Sequence, residues 1–163
     1  TLYAGANGAT LTGGAGNDLF VLSAGSFTSG TKEATTHSYI TDFKAGDLLQ
    51  LKFWGGDVDN SGVIDVGETG AITAITSFSK LAANQSANAV YTDYVNAAMA
   101  QMNDGTAGDA VWFSFAGNSY VIVDSGADSA GTFTNGEDLA IELTGVANLN
   151  GASFNSNFGT IAL

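Results

Sequence analysis

The chain has 163 residues, enough for a real hydrophobic core, and its 45% hydrophobic and 10% aromatic content excludes global disorder. Its 16 acidic residues against four Lys and no Arg give a net charge of −12. That balance excludes a nucleic-acid partner, whose phosphates need a basic face, and favours divalent cations that relieve carboxylate repulsion. The absence of Cys excludes disulfides and thiolate metal sites, and no apolar run approaches the ~18 residues of a membrane span.

The chain opens in mid-pattern at Thr1-Leu2-Tyr3 and is expected to be part of a larger protein. Residues 13–21, Gly13-Gly14-Ala15-Gly16-Asn17-Asp18-Leu19-Phe20-Val21, form one complete G-G-x-G-x-D-x-U-x nonapeptide. This is the repeat of calcium-binding parallel β-helices. Its glycines allow a tight turn with carbonyl oxygens near an ion, and Asp18 adds a hard oxygen ligand suited to Ca²⁺. Gly14, Gly16 and Asp18 are therefore candidate ligands, and Leu19-Phe20-Val21 starts a strand that must stack on a neighbour. One period upstream, residues 4–12 keep the apolar place at Leu11. Ala9 stands where the Asp belongs, so that rung has lost its carboxylate. A Gly-rich turn pair without metal is the plainer alternative.

Residues 22–37 are small and polar, a loop in character. Then comes Tyr39-Ile40-Thr41-Asp42-Phe43-Lys44-Ala45-Gly46-Asp47-Leu48-Leu49-Gln50-Leu51. A G-G-x-G-x-D run, a polar loop and then I-T-D-F-x-x-G-D-x-L-x-L resembles the end of the repeats-in-toxin (RTX) region of type I-secreted bacterial proteins. That family includes serralysin-type proteases, adhesins, lipases and S-layer proteins. The resemblance implies that a D-x-I-x-D-F segment supplies carboxylates to the last calcium of the roll. Asp42 matches its second acid, whereas Ser38 replaces the first.

Residues 57–68, Asp57-Val58-Asp59-Asn60-Ser61-Gly62-Val63-Ile64-Asp65-Val66-Gly67-Glu68, match the twelve-residue EF-hand loop. Side-chain oxygens of Asp57, Asp59, Ser61, Asp65 and Glu68 fall at ligand positions, Gly62 at the sharp turn, and the Val63 carbonyl at the seventh place. The Gly pairs and extended residues that flank it do not suit two helices. A structural calcium in an EF-hand-like loop is expected rather than a sensor.

From Lys80 to Met102 the pattern turns helical. Tyr91, Tyr94, Val95, Ala98, Met99 and Met102 form an apolar stripe expected to pack on the domain's own sheet. Residues 110–115 and 119–124 flank Ala116-Gly117-Asn118 as a hairpin, and residues 138–145 alternate as a third strand. Asp124, Asp128, Glu137 and Asp138 lie between them without regular spacing, as in a solvated loop. The last residues, among them Phe154, Phe158, Ile161, Ala162 and Leu163, form an apolar ending. The RTX resemblance implies an uncleaved secretion signal there, read by an ABC-transporter export apparatus. A final β-strand is the structural alternative.

An enzyme is hard to build from these residues. His37 is the single His, in a polar loop where it is expected to be solvated, and neither G-x-S-x-G nor a phosphate-cradling motif occurs. The expected fold is mostly β with one amphipathic helix: the end of a parallel β-roll over residues 1–52, then a capping α+β or β-sandwich-like region over residues 53–163. Together with the resemblance, this implies a secreted or cell-surface calcium-binding module without enzymatic activity. An assembly or anchoring domain of an S-layer protein or adhesin is the alternative, with copies of itself or a cell-surface polysaccharide as partners. The non-catalytic tail of a secreted protease or lipase is a third.

Overall fold

Five strands at the start of the chain are laid down alternately in two sheets. In the computed structural model, which describes residues 1–4, 8–23, 37–54, 72–102, 108–124, 131–134 and 138–163, they are β1 (Leu2–Ala4), β2 (Thr10–Leu11), β3 (Leu19–Ser23), β4 (Ser38–Ile40) and β5 (Leu48–Trp54). The odd-numbered strands pair in parallel in one sheet, and β2 and β4 pair in parallel in the other. Leu2 pairs with Phe20, two nonapeptide lengths on. A single nine-residue unit therefore crosses from one sheet to the other, and two units complete a turn. That is why Leu11 and Phe20, at equivalent places in successive units, enter the same core from opposite sheets.

The next turn is longer. Leu19 pairs with Leu48 and Thr10 with Tyr39, so equivalent residues lie 29 positions apart. The extra length falls between β3 and β4, in residues 24–36, which lie outside the described residues.

The rest of the chain extends both sheets. The first contains β6 (Ile72–Ala74), β11 (Ser153–Asn155) and β12 (Thr160–Ala162), and β12 lies between β5 and β11. One edge of β5 is shared, because Leu48–Gln50 pair with β12 and Lys52–Trp54 with β6, both antiparallel. The second sheet runs β2-β4-β10-β9-β8-β7, adding β7 (Ser77–Lys80), β8 (Asp109–Phe115), β9 (Asn118–Asp124) and β10 (Leu139–Leu143). Strands from both sides of residue 52 thus share sheets and one core, which reaches from Leu11 and Phe20 to Trp112, Ile141 and Ile161. Among the described residues the chain is mostly β with one helix, and its sheets are mixed.

That helix, α1 (Tyr91–Met102), lies on the outer face of the second sheet. The stripe works as expected: Val95, Ala98, Met99 and Met102 are buried, against Val111, Phe113, Tyr120 and Ile122 among others. The strands β8, β9 and β10 are covered on both faces, which accounts for their nearly unbroken apolar runs. The helix is shorter than the periodicity suggested. Residues 77–80 form β7, parallel to β8, and α1 begins only at Tyr91, where the Asp93 carboxylate accepts the Val90 N–H at 2.9 Å. The hairpin falls where composition put it, but its connection is two residues rather than three, because Asn118 already pairs with Phe115 as the first residue of β9. Ala116 and Gly117 both have positive φ, 51° and 86°, as a two-residue type I′ connection requires.

Candidate functional site

The turns that join β2 to β3 and β4 to β5 lie one above the other on the same edge of the two sheets. Asp47 is equivalent to Asp18 in the next turn, Asp42 to Gly13 and Lys44 to Ala15, each 29 residues on. The two turns are tied by charge-assisted hydrogen bonds. The Asp42 carboxylate accepts the Gly13 N–H at 2.8 Å and the Gly14 N–H at 2.6 Å. These two amide bonds, aided by the Lys44 charge, hold the Asp42 carboxyl below the usual carboxylate range. Asp47 is fully buried, and it accepts the Asp18 N–H at 2.9 Å and the Lys44 N–H at 3.1 Å. The Leu48 N–H returns to the Asp18 carbonyl at 2.8 Å, which starts the β3–β5 ladder.

Within the upper turn, Gly13 is required by close approach. A Cβ there would lie 2.5 Å from Asp18 Oδ2, so any side chain would displace that carboxylate. Gly14 and Gly16, at φ 84° and 100°, take the left-handed conformations that nonapeptide turns use. Asp18 Oδ2 is buried and has no hydrogen-bond partner. A buried, unpaired carboxylate oxygen is costly, and a hard cation is one way to satisfy it. Among the described residues no group of three or more acidic, His or Cys side chains could hold one ion. An ion at Asp18 would need backbone carbonyls and water for its remaining ligands.

The opposite edge differs. Ala9 and Ser38, the two places where an acid was missing from the sequence pattern, are stacked on each other, with the Ala9 N–H on Ser38 Oγ at 3.3 Å and the Tyr39 N–H on the Ala9 carbonyl at 2.7 Å. A small neutral pair stands at both places. The twelve-residue loop with Asp57, Asp59, Ser61, Val63, Asp65 and Glu68 lies outside the described residues, as do Asp128 and Glu137. Of the expected signal residues, Ile161 is fully buried in β12, Phe154 packs on the core, and Phe158 is exposed.

Four acidic or basic positions depart from expectation. His37 is not solvated: its Nε2 lies 2.9 Å from Glu142 Oε2, and its ring packs beside Tyr39, Tyr91 and Tyr120. Glu142, read as the solvent side of an alternating strand, is buried and accepts further hydrogen bonds from Tyr120, Asn118 and Thr144. Burial first, then the bond to Glu142 and its charge, push the Tyr120 hydroxyl up to about 12. Asp124 and Asp138, read as part of a solvated loop, are buried, and Asp138 Oδ2 accepts the Thr134 N–H at 2.7 Å.

No local motif marks Asp47 as a member of this junction. The signal that could have found it is the repeated Asp-Leu at residues 18–19 and 47–48, hidden by the change of period. Comparison of the chain with protein-family models and with curated proteins returned no match.

Proposed function

We propose that this chain is the calcium-binding C-terminal module of a type I-secreted RTX protein, comprising the last turns of a parallel β-roll and a cap built into the same sheets. The observation that carries this reading is the stack of residues 13–18 on residues 42–47, with a buried Asp18 carboxylate oxygen left without a partner. Alternate winding of β1 to β5 between two sheets, in nine-residue steps except the longer one from β3 to β4, supports the β-roll. The acidic loop of residues 57–68 supplies the most complete ligand set in the sequence.

The mechanism follows from charge. Where calcium is scarce, a net charge of −12 opposes the compact state and keeps the chain threadable for export. Where calcium is plentiful, binding to the folded form alone stabilises it, by roughly 1.4 kcal/mol per site for each ten-fold excess over the dissociation constant. The same residues need no catalytic role. Calorimetric titration of the chelated protein with calcium should give at least one site, and the melting temperature should rise in step. A melting curve that is the same in calcium and in EGTA would sink the proposal.

A further inference from the structure

Between the two stacked turns the Lys44 side chain bridges the Gly14 carbonyl and Asp47. We propose that the Lys44 ammonium serves there as a built-in cation, so that the contact between the Gly14 carbonyl and the Asp47 carboxylate needs no metal. This rests on the reading of these turns as calcium-type turns and limits where calcium acts. Lys44 starts in the lower turn and reaches back to the upper one, where its Nζ donates to the Gly14 carbonyl at 2.8 Å. It also lies 3.5 Å from Asp47 Oδ2. Gly14 O is a carbonyl that a shared ion would be expected to use, and Asp47 is the lower-turn equivalent of Asp18.

The two carboxylates of the lower turn are engaged as well. Both Asp42 oxygens are engaged by the Gly13 and Gly14 N–H groups, and both Asp47 oxygens by the Asp18 and Lys44 N–H groups. A Ca²⁺ ion would need oxygen ligands at roughly 2.3–2.6 Å in a set of six to eight. Here the carbonyl is held by an ammonium at a normal N–H···O distance, and the carboxylates are committed to backbone amides. A tethered ammonium brings one charge and three donors without the entropy cost of capturing a free ion. Asp18 Oδ2 is outside this arrangement and keeps its need for a partner.

The test is amide hydrogen exchange of Gly13, Gly14, Asp18 and Leu48, in calcium and in EGTA, for the wild type and for Lys44→Met. In the wild type these amides should keep their protection after chelation. In Lys44→Met they should exchange at least about ten-fold faster in EGTA and regain protection in millimolar calcium, which can then enter the vacated position. Lys44→Arg, which keeps the charge, should behave as the wild type and covers the case in which Lys44→Met does not fold. Loss of wild-type protection on chelation would overturn the proposal. So would a Lys44→Met variant that is indifferent to EGTA, or one that calcium does not restore. The wild-type melting shift tests the wider calcium reading separately, since it can be absent while the Lys44 arms still decide this one.

Discussion

Asp42, expected from the sequence to be a calcium ligand, has partners that no local pattern shows. Its carboxylate faces two backbone N–H groups of the turn above, which form a nest for an anion. Because the carboxyl is held below its ordinary value in the folded state, the stability it supplies is fully present above a pH of about 4, and it is lost as the pH falls through the folded value. Urea midpoints of the wild type should therefore fall more steeply as the pH drops below about 4 than those of Asp42→Asn, which has no proton to take up. Equal slopes would mean that these two bonds contribute nothing. The missed residues share one cause. Asp47 and His37 owe their surroundings to residues 29 and 105 positions away, and no local pattern reports such distances.

At the level of elements, what the sequence disclosed was what short-range periodicity controls. The α1 stripe, the turn at Ala116-Gly117 and the rung at Leu19-Phe20-Val21 were each visible from neighbouring residues alone. Strands β6 and β7 were not, because their short runs take their conformation from β5 and β8 beside them. The seam between β4 and β10 is the clearest case of a tertiary decision. These parallel strands join the N-terminal winding to the β8–β9–β10 sheet, and the seam is locked on its outer face by Glu142, with donors from His37, Asn118, Tyr120 and Thr144. Every one of these groups can donate, so a carboxylate is the right acceptor and an amide is not. Glu142→Gln should lower unfolding free energy by about 1.5–3 kcal/mol in urea denaturation, because its NH₂ would face donors in a buried setting. A loss below about 0.5 kcal/mol would show that the cluster does not hold the seam.

For the whole molecule, the placement of β12 connects the fold to the proposed export role. If the last residues are a signal, they can be read only while Ile161 is out of the core, since in the folded state it is fully buried between β5 and β11. Deleting the chain from Phe154 onwards should abolish export of the parent protein while leaving it in the cell, as an immunoblot of cells and medium would show; normal secretion would rule out the tail as signal. The same strand has a kinetic consequence. Gln50 and Phe158, which meet across this junction, are 108 residues apart, so the sheet is completed by one of the longest loop closures the chain can make. Until that closure, β5 keeps an open hydrogen-bonding edge beside Leu48–Gln50, paired on its other side only by β3. An open edge on a partly folded chain is a template for self-association. The high negative charge then acts as a kinetic safeguard as well, keeping such intermediates apart while the slow contact forms.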